Sequence, residues 1–332
     1  MAADLMVGSH AKAHRKMRLP KGNSMLTATT TTQTKVARRS RRRSGTHALL
    51  FLAPFFVLFI SFTIAPVAYS GFLSLFTEKT SGLGFGGATK AFVGLANYLR
   101  AIQDSGFLSG FLNIAMYCLL YIPVMIGLAL VIALLLDSAA AQAKSFFRLA
   151  FYLPNVVPGL IAAIIWMYLY TPGISPLVDV FETTGATWDL GSQLAALFSL
   201  SNLAIWLHTG YNVILFYAAL QAVPEDILEA ATVDGAGAVR IALAIKARMI
   251  SGAVTVATLF TVVGAMQLFA EPLLLKSLSR AIDGGWTPNM FIFQTAFDRH
   301  DFGYAAATSL LFAVLIGGLS WAVTKLGSKV NS

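Results

Sequence analysis

Charge is what this sequence has least of: only 12% of its 332 residues are Asp, Glu, Lys or Arg, about half the share found in an average soluble domain. The scarcity is uneven. Beyond a basic N-terminal tail the charges cluster, leaving six runs with none: Ser44 to Thr77, Ser105 to Leu136, Leu149 to Val178, Leu190 to Pro224, Met249 to Ala270 and Phe302 to Thr324. The shortest holds 22 residues, enough for a helix to cross the hydrocarbon core, which takes about 20. The alternation of a barrel strand is missing, so each crossing is expected to be helical. The expected fold class is an all-α integral membrane protein with six transmembrane helices.

Other absences exclude whole classes of function. A single cysteine, Cys118, rules out a disulfide framework or a thiolate metal site within the chain and reads as a small core residue. There is no Gly-x-x-x-x-Gly-Lys-Ser/Thr phosphate loop, so the chain itself is expected to bind no nucleotide and no other cofactor. No close His/Asp/Glu cluster has ligand spacing, which argues against an enzyme and against a bound metal. The nearest approach, Asp298, His300 and Asp301 around Arg299, reads as a solvated charge run. No internal repeat of the secondary-transporter kind is visible, so six spans alone would be half of an assembly.

The net charge of +9 is a matter of topology rather than of nucleic acid. With the N-terminus inside, 18 Lys/Arg fall on inside segments and six on outside ones, so the positive-inside rule puts both termini in the cytoplasm. Residues 1–45 mix Ser, Thr and basic clusters with no apolar period, and read as a disordered basic cytoplasmic arm attracted to anionic membrane lipid. Residues 46–328 read as the membrane domain. The first apolar run is too long for a signal peptide and is expected to stay as the first helix. Pro54, Pro66, Pro123, Pro154 and Pro158 should kink the first three spans. The loop from Glu78 to Asp104, with Gly82, Gly84, Gly86 and Gly87, reads as a flexible outside loop.

The most informative segment is the inside loop 224–248. Pro224 ends the fourth span, and Glu225 and Asp226 occupy a first helical turn, where the dipole favours acidic side chains. Glu229, Ala230 and Ala231 continue the helix, and Asp234-Gly235 stops it, glycine accepting the left-handed conformation. Helix, tight turn and helix should follow. This pattern, closed by Ala236, resembles the Glu-Ala-Ala loop of binding-protein-dependent ABC transporter permeases.

The resemblance extends over roughly residues 48–325, through Phe92-Val93-Gly94-Leu95-Ala96-Asn97-Tyr98, Phe147-Arg148 with Tyr152-Leu153-Pro154, and Phe302-Gly303-Tyr304-Ala305-Ala306-Ala307. These segments are similar to the carbohydrate branch, to first permease subunits of the maltose, lactose or glycerol-3-phosphate type. The resemblance implies a type I importer fold and a non-catalytic subunit of the cytoplasmic membrane. Its partners would be a second homologous permease, a pair of ATP-binding-cassette ATPases that use ATP and magnesium, and an extracytoplasmic solute-binding protein. Glu229, Ala230, Ala231, Asp234, Gly235 and Ala236 would form the ATPase-coupling knob. One departure is that Arg248 and Gly252 stand where that family has prolines, so the helix that follows is expected to be less kinked.

A sugar pathway needs hydrogen-bonding side chains beside aromatic faces at mid-membrane. Ala204, His208 and Tyr211 recur at helical spacing with Asn212 beside them, while Trp206 points elsewhere; Gln267 and Glu271 are four apart on the fifth span. These five polar residues are the candidate pathway. Asn113, Asn155 and Asn202 read as interhelical ties. The alternative cargoes are glycerol-3-phosphate or another polar solute, and the rival mechanism is an ion-coupled secondary transporter.

Overall fold

The computed structural model describes residues 50–80, 88–183 and 191–330. The basic arm of residues 1–45 and the glycines at 82–87 lie outside them. The chain divides into two units, Met1–Phe62 and Thr63–Ser332, and the packing that builds the site belongs to the second.

Five helices are long and apolar enough to cross a membrane, and a bent pair brings the number to six. They are α1 (Leu50–Leu73), α3 (Ser105–Asp137), the pair α4 (Lys144–Val156) and α5 (Gly159–Leu169), α7 (Gln193–Leu220), the fifth crossing (Ser251–Leu275) and α12 (Phe302–Val330), with the short helices α6 (Pro176–Thr183) and α11 (Pro288–Phe293) in the connections. Outward apolar side chains such as Leu119, Phe260 and Val314, 77%, 67% and 72% exposed, are tolerable in lipid and not in water.

Proline chemistry sets the irregularities. In α1 a π-helical turn, Ile60–Ile64, runs up to Pro66; its wider spacing accommodates a residue with no N–H to give. In the third crossing the expected kink is a full break, with α4 and α5 meeting at 94°. Val157 is extended (φ −71°, ψ 125°), as a residue before proline is driven to be, and Pro158 opens α5.

A two-stranded ribbon follows α1, β1 (Phe76–Thr80) antiparallel to β2 (Ala88–Phe92), with Glu78 opposite Lys90. The all-α expectation had no place for it, because five-residue strands flanking a glycine cluster carry little pattern. Helix α2 (Ala96–Gln103) then leads into α3.

The segments 92–98 and 302–307 meet here, at the turn after α1. Buried Asn97 donates from Nδ2 to the carbonyls of Ser74 (2.8 Å) and Phe76 (2.9 Å), and the Tyr98 hydroxyl lies 2.7 Å from Ser74 Oγ. Gly303 lets α12 start against the same turn: a Cβ there would overlap the Phe76 carbonyl and stand 3.3 Å from that of Leu73. Asp104 caps α3 through Oδ1 and accepts from the Tyr304 hydroxyl through Oδ2 (2.9 Å). Arg100 lies 3.8 Å over the Tyr304 ring and donates to Asp301 at 2.8 Å. Asp301 also caps α12, so the run from Asp298 is not uniformly solvated as expected.

Removing the Asn97 amide orphans two carbonyls, at a cost of about 2 kcal/mol. Asn97→Ala is expected to lower the unfolding midpoint in detergent by about 5 °C. An unchanged midpoint would mean that the amide holds nothing.

Three apolar layers stack along the second unit. Ala101, Phe107, Phe291 and Tyr304 form the layer nearest the ribbon. Tyr117, Tyr121, Met125, Leu200, Ala204, Met266 and Trp286 belong to the middle one. Ala129, Ala133, Leu136, Val213, Phe216, Leu220 and Ile250 belong to the third. Small residues bring the helices close. Asn113, Asn155 and Asn202 tie elements as expected, donating to Trp286 O (3.1 Å), Leu207 O (3.3 Å) and the Tyr170 hydroxyl (2.9 Å).

Candidate functional site

The loop after α7 folds as its sequence dictates. Helix α8 spans Glu225–Val233, with Glu225 and Asp226 in its first turn. Gly235 has φ +79°, and the amides of Gly235 and Ala236 return to the carbonyls of Thr232 (3.0 Å) and Ala231 (2.9 Å). These are the closing bonds of a Schellman turn. No side chain of α8 is buried; Glu229, Ala230, Asp234 and Gly235 are exposed, and Ala231 and Ala236 are half-buried. Helix α8 thus stands out from the packed layers, with its acidic side chains turned to its surroundings.

The chain then returns through Ala238–Arg240, a π-helical stretch Ile241–Lys246 and Ala247–Met249 before α9 (Ser251–Met266). The return carries no proline, and its backbone is nonetheless irregular. The backbone widens at 241–246 and breaks at Ile250 (φ −92°, ψ 11°), whose buried side chain belongs to the third apolar layer.

At mid-span, α3, α7 and the fifth crossing enclose a cavity of about 390 Å³. All five candidate pathway residues line it: His208, Tyr211, Asn212, Gln267 and Glu271. Two of them reach it differently from the expectation. Gln267 and Glu271 do not share a helical face, because α9 ends at Met266 and the next helix, α10 (Ala270–Leu275), begins only after a break. Pro272 is the reason: it cannot donate to Leu268, four residues back, and its ring crowds that carbonyl. The helix therefore opens at 267–269, and both polar residues turn to the cavity at the break.

The sequence reading missed Tyr117 and Tyr121. Their rings stack at 5.2 Å with 19° between planes, both nearly fully buried on the cavity's back wall. Their four-residue spacing puts both on one face of α3, but that span is apolar all round and the spacing does not say what the face meets. Asn212 is buried too, its Nδ2 donating to His208 O (3.1 Å) and directed at Met125 Sδ (3.3 Å), so it braces α7 against α3 as well as lining the space. His208, Tyr211, Phe260, Gly264 and Gln267 are exposed, giving the cavity an open side. Trp206 points elsewhere, as expected, its ring 5.9 Å from that of Trp166.

The Glu271 carboxylate lies by the first residue of α5: a Cβ on Gly159 would stand 3.1 Å from Oε1. The positive end of that helix favours a carboxylate there. The break of the third crossing and the break of the fifth thus meet. Phenols, an imidazole, two primary amides, the Thr261 hydroxyl and one carboxylate offer donors and acceptors to hydroxyl groups, and the lining holds no Lys or Arg. Among the described residues, no group of three His, Cys, Asp or Glu could hold a metal ion.

No protein-family model matches the chain. Among curated proteins it is 28% identical over 277 residues to the probable ABC transporter permease protein YurN of Bacillus subtilis, covering 82% of this chain and 92% of that one. It is 28% identical over 306 residues to the diacetylchitobiose uptake system permease protein NgcF of Streptomyces coelicolor, covering 84% of each. Against the sn-glycerol-3-phosphate transport system permease protein UgpA of Agrobacterium fabrum it is 31% identical over 189 residues, 56% of this chain and 62% of that one. Among solved structures, a chain of a bacterial ABC transporter that imports the acidic polysaccharide alginate matches with a TM-score of 0.72 at 16% identity, covering 90% of this chain and 100% of that one. The same transporter type in complex with an alginate pentasaccharide-bound periplasmic protein matches at 0.71. The architecture is therefore that of an ABC importer permease.

Proposed function

We propose that this chain, with the fold of an ABC importer permease and curated relatives that are ABC transporter permeases, is the non-catalytic membrane subunit of an ATP-driven importer of a neutral sugar or oligosaccharide. The observation that carries the reading is the cavity. Its wall pairs the stacked phenols of Tyr117 and Tyr121 with the polar groups of His208, Gln267 and Glu271. Aromatic faces pack on the C–H faces of a sugar, and the polar groups exchange hydrogen bonds with its hydroxyls.

The open side bearing His208, Tyr211 and Gln267 is completed by a second, homologous permease. Helix α8 docks on an ATP-hydrolysing partner, Glu229 supplying the charge and Gly235 the turn. A solute-binding protein delivers the sugar on the face that carries the ribbon, with α8 facing the cytoplasm of a bacterial cell. ATP and magnesium serve the partner subunits. Transport follows from two packings of the permease pair, biased in turn by nucleotide and by the loaded binding protein.

Relatives for glycerol-3-phosphate offer a second reading. An anion would enter a wall with one carboxylate and no fixed cation, a pairing that costs free energy in a low-dielectric cavity. An ion-coupled mechanism would run without an ATPase.

The test is uptake by the reconstituted transporter with its binding protein. A neutral disaccharide should enter only with ATP, and Gln267→Ala and Tyr117→Phe should each lower that uptake about tenfold, as losing a directed hydrogen bond to a substrate hydroxyl does. Uptake of a phosphate ester in preference to the sugar, or uptake without ATP, would overturn the reading.

A further inference from the structure

Helix α8 buries no side chain. Any displacement it receives reaches the membrane only through its two stalks, one leaving α7 at Gln221 and one returning by Lys246. The structure ties both to a single carboxylate. Asp137, the last residue of α3, accepts from Gln221 Nε2 on Oδ1 (2.6 Å) and forms an ion pair with Lys246 Nζ through Oδ2. The side chains of Asp137 and Lys246 are only 8% and 19% exposed, so water screens their pairing weakly. The tie caps the third apolar layer, in which Leu136, Leu220 and Ile250 represent the same three chain segments.

Without this link the stalks could flex separately, and a push on α8 would be spent in bending the loop. With it, the loop base, α3 and α7 move as one body, and α3 and α7 carry Tyr117, Tyr121, His208 and Tyr211 of the cavity. Resting on the importer reading above, we infer that Asp137 is a positioning residue: by clamping both stalks of α8 to the end of α3, it couples nucleotide-driven movement to the cavity.

The experiment uses the complete transporter in proteoliposomes and reads sugar moved per ATP hydrolysed. Lys246→Met and Asp137→Asn should each lower that ratio about tenfold, a usual size for an energetic coupling between sites. Lys246→Arg should stay near wild type, and the reversed pair D137K/K246D should regain most of the loss. Either single variant leaves a buried group without its charge partner, which by itself can lower assembly, so the neutral pair D137N/K246M is the deciding variant. It carries no unpaired charge, and it should assemble yet stay uncoupled. Normal sugar per ATP in the neutral pair, or a reversed pair no better than the singles, would overturn the proposal while leaving the importer reading intact. A wild-type complex without ATP-driven uptake would overturn both.

Discussion

Replacing Glu229 with lysine is expected to cut ATP-driven uptake by about 30-fold or more, the size of loss when one member of a buried interfacial charge pair is removed. The chain itself should fold normally. Glu229 is exposed on a helix with no buried side chain, and surface substitutions of this kind change stability by about 0.5 kcal/mol at most. Reversal removes the acidic handle and sets a like charge against any basic residue in the partner's groove. Gly235→Val should give a comparable loss by another route. At φ +79° a β-branched residue is strained by about 1 to 3 kcal/mol, so the turn reopens and the knob is misplaced. Gly235→Asn, which tolerates that conformation, should retain most uptake. Co-purification of the ATPase with each variant locates the defect. Wild-type uptake by Glu229→Lys with the ATPase still bound would show that α8 is not where the motion enters.

The largest structural effect is expected at Gly210. A Cβ there would overlap the Phe151 carbonyl and stand 2.9 Å from Tyr152 Cα. Both obstacles are backbone of α4, so no rotamer change relieves the contact, and the helices must separate. Such overpacking costs about 3 kcal/mol, or roughly 10 °C in the unfolding midpoint. It would also shift His208 and Tyr211, on either side of Gly210, away from the cavity. Gly317→Ala and Gly318→Ala serve as comparison, since nothing lies within 4 Å of a Cβ at either position of α12. Alanine there should be neutral or mildly stabilising, by up to about 1 kcal/mol. Equal midpoints for Gly210→Ala and Gly317→Ala would refute the close crossing of α4 and α7.

The parts of the site that could be read in advance are those whose chemistry is local. The α8 loop is complete in the eleven consecutive residues from Glu225 to Gly235: acid at the start, alanine within, glycine where φ must be positive. His208 and Tyr211 were legible through helical spacing. Gln267 and Glu271 were legible as polar intrusions, although the face assigned to them was wrong because Pro272 breaks the helix between them. Tyr117 and Tyr121 were not singled out. Their span is apolar on every side, so nothing in its pattern separates a residue facing the cavity from one facing lipid. The ribbon gave no more warning, being two short strands of mixed polarity.

The amino-acid order alone determined where the chain crosses the membrane and what protrudes from it. Hydrocarbon expels charge, and helix caps are settled within a few residues; neither depends on distant partners. Only the tertiary structure decided which faces meet: Asp104 with Tyr304, Arg100 with Asp301, and Asp137 with Lys246. In lipid an inward face gains no hydrophobic advantage over an outward one. The choice falls instead to close backbone approach at Gly210 and Gly303 and to a few polar ties between residues far apart in the chain.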